Sequence, residues 1–232
     1  MSDTRIPMVD LAAQHAEVTD RVADGLAAVF AATAFVGGPD VEAFEAEYAA
    51  FNETAHCVGV ASGTDAIELM VRGLGIGAGD EVIMPANTFI ATAEAVVRAG
   101  ADVVLVDCSD DTLLIDPDRV EAAITDRTRA IIGVDLYGQI APFERLAEVV
   151  GGRDILLLED AAQSQGARRN GRRSGHGVRA AATSFYPGKN LGAYGDAGAV
   201  ITDDAELAER MRAISRHGGL RRYEHDMFGF NS

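Results

Sequence analysis

Seven short apolar runs, most of them separated by segments of helical periodicity, constrain this 232-residue chain more than any other feature. They lie near Cys57 to Ala61, Glu81 to Met84, Asp102 to Asp107, Arg129 to Leu136, Ile155 to Glu159, Ala182 to Tyr186 and Gly198 to Thr202. Strands that alternate with helices predict an α/β fold, in which a mostly parallel seven-stranded sheet is flanked by helices on both faces. Helical spacing is clear at Phe143, Leu146, Ala147 and Val150, behind an opening Pro142, and again at Leu207, Met211 and Ile214. No repeat or low-complexity linker breaks the pattern, and the length suffices for one large domain with its own core.

Open sheets of this kind bind ligands beyond the C-terminal ends of their strands. The run Asp154-Ile155-Leu156-Leu157-Leu158-Glu159-Asp160 reads as a buried strand that delivers a carboxylate to that edge. Another strand-like run passes through Ser184, Phe185 and Tyr186 into Pro187-Gly188-Lys189-Asn190-Leu191-Gly192-Ala193, a small-residue loop presenting an amine. Lysine amines condense with carbonyls, and pyridoxal phosphate chemistry needs such a lysine together with an acid facing the ring nitrogen. Lys189 and Asp160 supply the pair; their bland alternatives are a solvated lysine and a helix N-cap. A phosphate needs backbone N–H groups at a helix start, and Val58-Gly59-Val60-Ala61-Ser62-Gly63-Thr64-Asp65 reads as a strand turning into a helix. Ser62 and Asp65 have capping-box spacing, and Ile67, Met70, Val71 and Leu74 follow at helical intervals. Ser184 adds a hydroxyl.

Together these segments resemble the DegT/DnrJ/EryC1/StrS family of sugar aminotransferases, within the fold-type I pyridoxal phosphate enzymes of the aspartate aminotransferase fold. The resemblance runs from about Ile6 to Ser232. It is carried by Phe35-Val36-Gly37-Gly38-Pro39, the Ala61-Ser62-Gly63-Thr64 turn, Gly79-Asp80-Glu81-Val82-Ile83-Met84-Pro85 and Asn87-Thr88-Phe89-Ile90-Ala91-Thr92. Leu136-Tyr137-Gly138, Glu159-Asp160-Ala161-Ala162-Gln163 and the lysine loop with Gly195-Asp196-Ala197-Gly198 complete it in order. The resemblance implies that Lys189 carries the cofactor covalently, Asp160 faces the pyridine nitrogen, Gln163 bonds the phenolic oxygen and Phe89 stacks on the ring. It further implies that Ser62, Gly63, Thr64 and Ser184 hold the phosphate. Asn231, in Gly229-Phe230-Asn231, would reach the phosphate of a neighbouring subunit, making the protein a homodimer with shared active sites. Phe89 also fits ordinary core.

The implied reaction is transfer of an amino group from an amino acid, glutamate, to a nucleotide-linked keto sugar. The form of the lysine loop points to a dTDP-3-keto-6-deoxyhexose. Two departures accompany the resemblance. Residues 1–232 correspond to the large pyridoxal phosphate domain, and the small C-terminal domain of family members is expected to be absent from this chain. Asp135 stands before Leu136-Tyr137-Gly138 where the family commonly has histidine. Three alternatives stay open: a non-catalytic subunit of the same fold, a sugar dehydratase of the family, and an unrelated α/β phosphate binder. The dehydratases carry histidine in place of the lysine, so Lys189 disfavours them.

Thirty-six acidic against twenty basic residues give a formal charge of −16, which argues against a nucleic-acid partner. Met1 to Arg5 lack a basic-then-apolar leader layout and no apolar run reaches membrane-spanning length, so a cytoplasmic protein without a membrane partner is expected. Only Cys57 and Cys108 are present, beside apolar runs, as suits small buried residues rather than a disulfide framework, and no metal-ligand cluster is visible. Arg168-Arg169-Asn170-Gly171-Arg172-Arg173 centres on an Asn-Gly pair and reads as a solvated hairpin. Arg210, Arg212, Arg216, His217, Arg221 and Arg222 either meet a nucleotide diphosphate or form a charged helix face and loop. Exposed apolar surface is expected to cause self-association or poor solubility.

Overall fold

The computed structural model describes residues 6–221 and 223–232, so the reading of Met1 to Arg5 and that of Arg222 lie outside the described residues. The chain divides into two compact units, Met1–Phe44 and Glu45–Ser232. In the first, helix α1 (Leu11–Ala32) is capped by Asp10, whose side chain accepts from Ala13 N at 3.0 Å. It ends at Thr33 in the left-handed region, after which Phe30 and Phe35 meet edge to face at 5.8 Å. Gly37 and Gly38, both at positive φ, turn the chain into Pro39, the first residue of α2 (Pro39–Asn52).

The second unit is built on a seven-stranded sheet of order β1-β7-β6-β5-β4-β2-β3. Its strands are β1 (His56–Val60), β2 (Glu81–Pro85), β3 (Asp102–Val106), β4 (Thr128–Val134), β5 (Leu156–Asp160), β6 (Ala180–Ser184) and β7 (Gly198–Thr202). β7 runs antiparallel to both neighbours, while β6, β5, β4, β2 and β3 are mutually parallel. β1 therefore points the same way as those five, and six strands end at one edge.

Alternation along the strands divides the core between two faces. Val82, Met84, Ala130, Ile132 and Leu158 pack with α3 (Gly63–Gly73), α4 (Ile90–Ala99) and α7 (Ala205–Ser215) through Ile67, Met70, Val96, Met211 and Ile214. Ile83 and Ile131 face the other way, against Val120 of α5 (Pro117–Ala123) and Phe143, Leu146 and Val150 of α6 (Phe143–Val150). The predicted α/β architecture is observed.

Several details differ from the sequence expectations. β6 begins and ends two residues earlier than expected, because pairing of Ala180 with Leu158 and of Ser184 with Gly198 sets its limits. Pro142 is the N-cap of α6 rather than its first residue. Cys57 is buried, with its thiol pushed up to about 12 mainly by desolvation, but Cys108 is only half-buried. The Asn-Gly hairpin is as predicted: Asn170 and Gly171 both have positive φ, and Arg169 and Arg172 exchange two backbone hydrogen bonds of 2.9 Å. Among the described residues no helix is long and apolar enough to cross a membrane, and no acidic, histidine or cysteine cluster could hold a metal.

Candidate active site

The edge where six strands end gathers most of the residues singled out by sequence. β1 runs through Ala61 into Ser62, whose Oγ accepts from Asp65 N at 3.1 Å and whose carbonyl accepts from Ala66 N at 3.0 Å. Only half of the capping box forms, since Asp65 Oδ2 accepts instead from Ser232 Oγ at 2.9 Å. The first N–H groups of a helix have no intrahelical acceptor, so those of Gly63 and Thr64 point outward from the positive end of α3. Ser184 is brought there by close packing: a Cβ on Gly63 would lie 2.5 Å from Ser184 Cβ and 2.9 Å from its Oγ. The side of the turn facing β7 is equally tight, since a Cβ on Gly198 would meet the Ser62 carbonyl oxygen at 2.3 Å.

Asp160 closes β5 as a buried carboxyl, not as a helix cap. Thr92, fully buried in the first turn of α4, donates its hydroxyl to Asp160 Oδ2 at 2.7 Å. Thr92 can then only accept at its 2.8 Å contact with Thr88 Oγ1, so Thr88 is the donor. Asp160 Oδ1 accepts from Ala162 N at 3.2 Å. Burial raises the Asp160 carboxyl above its ordinary range, opposed by the Thr92 and Ala162 hydrogen bonds and by the positive charge of Lys189.

Phe89, one residue ahead of α4, is 68% exposed, which removes the core alternative. Gln163 Oε1 accepts from Tyr137 N at 2.8 Å, leaving its two amide hydrogens as the groups with which it can bind a ligand. Lys189 sits half-buried in the loop between β6 and β7, its own N–H turned to the Tyr186 carbonyl at 2.8 Å. Asn231 is exposed on the last segment, which bridges to Arg216, while Ser232 Oγ accepts from Ala61 N at 3.0 Å beside the α3 turn.

Within the basic stretch, one arginine serves the fold. Arg212 reaches Glu45 and the Cys57 carbonyl, tying α7 to α2 and β1. Arg210 and Arg221 line a cleft of about 550 Å³ together with Glu206, Glu209, Glu224 and Asp226, a balance that opposes a diphosphate.

Asp135 and Glu159 form a second buried acid group behind Asp160. Asp135 Oδ1 accepts from Ala141 N at 2.8 Å and its Oδ2 from Ser164 Oγ at 2.7 Å. Glu159 Oε2 accepts from Gly175 N at 2.7 Å, its Oε1 is buried without a hydrogen-bond partner, and the Asp135 carboxyl acts on it directly. Burial first, and then the neighbouring Asp135 charge, drive Glu159 well above the ordinary carboxylate range, so we place a proton on it. Asp135 is pushed up to about 6, again mainly by burial. Groups raised in the folded state bind protons that the unfolded chain has released, so their stabilisation is present below about pH 4.5 and fades as pH rises through the folded values. Glu159→Gln keeps an acceptor for Gly175 and removes the titrating group beside Asp135. It should flatten the decline of stability as pH rises above the ordinary carboxylate range and raise stability at the alkaline end of that range. Urea melts across that range check it; an unchanged slope would mean the proton is not there.

Sequence reasoning left out Thr92 and Ser232, whose contacts depend on the fold. It also overlooked a signal in plain view: Lys189 is the only lysine of the chain, every other of the twenty lysine and arginine residues being arginine.

The chain is similar to several known proteins. The chain is 49% identical over 228 residues to the dTDP-3-amino-3,4,6-trideoxy-alpha-D-glucose transaminase of Streptomyces venezuelae, covering 98% of this chain and 60% of that protein. The crystal structure of S. venezuelae DesV in complex with a ketimine intermediate superposes with a TM-score of 0.95 at 48% identity, covering 98% of this chain and 61% of that one. NtdA of Bacillus subtilis, with bound cofactor PMP, gives a TM-score of 0.92 at 32% identity, covering 99% and 53%. The chain thus spans about three fifths of the length of the curated relatives it matches. Residues 17–232 match the model of one family, and on the strength of that match and these relatives the chain belongs to the DegT/DnrJ/EryC1/StrS aminotransferase family.

Proposed function

We propose that residues 1–232 form the pyridoxal phosphate-holding domain of an aminotransferase that moves an amino group from an amino acid, glutamate, to a nucleotide-linked keto sugar. The observation that carries this reading is the placement of the chain's single lysine within electrostatic reach of a buried carboxylate at the strand-end edge. The residues fit the cofactor. Asp160 is a buried carboxyl whose two oxygens each have one protein donor, and a cationic ring N–H supplies the charge that burial makes it lack. Gly63 and Thr64 offer N–H groups at a helix start, and Ser184 Oγ lies against them.

When bound, pyridoxal phosphate supplies an aldehyde and a ring that takes up the electron pair left by a departing α-proton. Lys189 Nζ would hold the cofactor through its aldehyde and would then serve as the base that carries the α-proton. Asp160 keeps the ring nitrogen protonated. Gln163 would direct an amide hydrogen at the phenolic oxygen, Phe89 would cover a ring face, and Ser62, Gly63, Thr64 and Ser184 would fix the phosphate, Ser62 through its cap of α3. Asn231 would reach the phosphate of a second copy in a homodimer. The sugar is taken as a dTDP-3-keto-6-deoxyhexose on the strength of the S. venezuelae relative, a transaminase named for a dTDP-3-amino sugar. The amine of Lys189 stands against the dehydratase reading.

The test is to mix the purified chain with pyridoxal phosphate, fix the adduct with borohydride, and weigh the intact protein before and after adding glutamate to an unreduced sample. A single adduct on Lys189 that glutamate converts to the pyridoxamine form is expected. An adduct that ignores glutamate would support the non-catalytic reading, and no adduct on Lys189 would end the cofactor assignment.

A further inference from the structure

Gln165 lies in the turn after β5, outside the roles given above. Its Nε2 donates to Thr183 Oγ1 at 2.6 Å and to the Ser184 carbonyl at 3.0 Å, both at the end of β6. Its own carbonyl accepts from Asn190 Nδ2 at 2.9 Å, and Asn190 is the immediate neighbour of Lys189. Thr183 gives its hydroxyl proton to the Ala161 carbonyl at 3.2 Å, so both partners of the Gln165 amide are acceptors and its nitrogen must face them. That orientation leaves Gln165 Oε1 buried without a hydrogen-bond partner. An orphaned buried acceptor is unfavourable, and here it is the consequence of aiming both amide hydrogens at the strand that launches the lysine loop.

The loop from Tyr186 to Asp196 is otherwise largely exposed, and its bonds from Lys189 N to the Tyr186 carbonyl and from Ala193 N to the Phe185 carbonyl, each 2.8 Å, are local. Gln165 ties this loop from outside to the turn that carries Asp160 and Gln163. We propose that Gln165 is a positioning residue for the Lys189 amine, setting its place relative to Asp160 through Ser184 and Asn190. The proposal rests on the pyridoxal phosphate reading above.

The single lysine makes the test clean, because a lysine-specific endoprotease has one place to cut. In Asn190→Ala without cofactor, native-state cleavage after Lys189 should quicken about tenfold, since opening the loop no longer breaks the bond from Asn190 Nδ2 to the Gln165 main-chain carbonyl. In pyridoxal phosphate-loaded Gln165→Ala, which loses the side-chain bonds to Thr183 and Ser184, the pH midpoint of the adduct's absorbance should move by about half a unit or more, a change that packing alone does not cause. Asn190→Ala, on the exposed side of the same tether, should move the midpoint in the same direction and decides the matter if Gln165→Ala fails to fold. If the wild-type chain forms no adduct on Lys189, the cofactor reading fails and takes this inference with it. If the wild type forms the adduct but the midpoint stays in place in the folded variants, Gln165 is a packing residue and the inference is overturned.

Discussion

Lys189→Arg will abolish covalent capture of pyridoxal phosphate while leaving the fold intact. Arginine keeps the positive charge that acts on the buried Asp160, so the electrostatics of the strand edge change little. Its delocalised guanidinium stays protonated and does not condense with an aldehyde at neutral pH, so the nucleophile alone is removed. Because no other lysine exists, no neighbouring side-chain amine can substitute, and the borohydride-fixed mass increment should fall to the level of the N-terminal amine. Any turnover should fall by about 10²–10⁴-fold, the span expected from losing a positioned proton carrier. The site is half-buried and outside the two core clusters, so the melting temperature should stay within a few degrees. Lys189→Ala is the useful companion, since it removes charge and amine together. A full-sized increment surviving in Lys189→Arg would refute the assignment outright.

Gly198→Ala should cost about 2–4 kcal/mol, large for the addition of one methyl group. Gly198 opens β7 in register with Val60 of β1 and Ser184 of β6. Its missing Cβ would lie 2.3 Å from the Ser62 carbonyl oxygen, 2.5 Å from the carbonyl carbon and 2.8 Å from Gly63 N. These are backbone atoms, so no rotamer change relieves the contact; either β7 shifts in its ladder or the start of α3 moves away. A melting temperature lower by about 5–15 °C, with an unchanged urea m-value, is the expected result. Weaker pyridoxal phosphate retention should accompany it, because the turn that moves carries the outward N–H groups of Gly63 and Thr64. A variant as stable as the parent would show that this strand start has slack the structure does not display.

The sequence disclosed the strand interiors because their residues are apolar and β-branched, as in Val103-Val104-Leu105-Val106, whose identity as a strand needs no partner to be seen. β6 is different. Ala180, Ala181 and Ala182 carry little strand preference, and their limits come from pairing with β5 and β7, which only the folded sheet reveals. The same division holds for the site. Lys189, Asp160 and the Ser62 turn could be read locally, since each sits in a strand-end setting that its own neighbours announce. Thr92 reaches Asp160 only because β2 and β5 flank β4, and Asp135 meets Glu159 only because Gly133 and Val134 pair with Glu159 and Asp160. Such long-range polar contacts leave no periodic trace. The exposure of Phe89 likewise could not be told from burial, since an aromatic at a strand end fits either.

The reversed direction of β7 has a bearing on how such a protein changes over generations. Because β6 and β7 are antiparallel neighbours, the lysine loop leaves and rejoins the sheet at the same edge, closed at its base by Phe185 N donating to the Ala197 carbonyl at 2.8 Å. Residues can be gained, lost or exchanged between those two points without altering the ladder on either side. The fold thus separates inheritance of the scaffold from variation of the surroundings of the amine, and one sheet can host a succession of differently shaped acceptors while its core stays as it was.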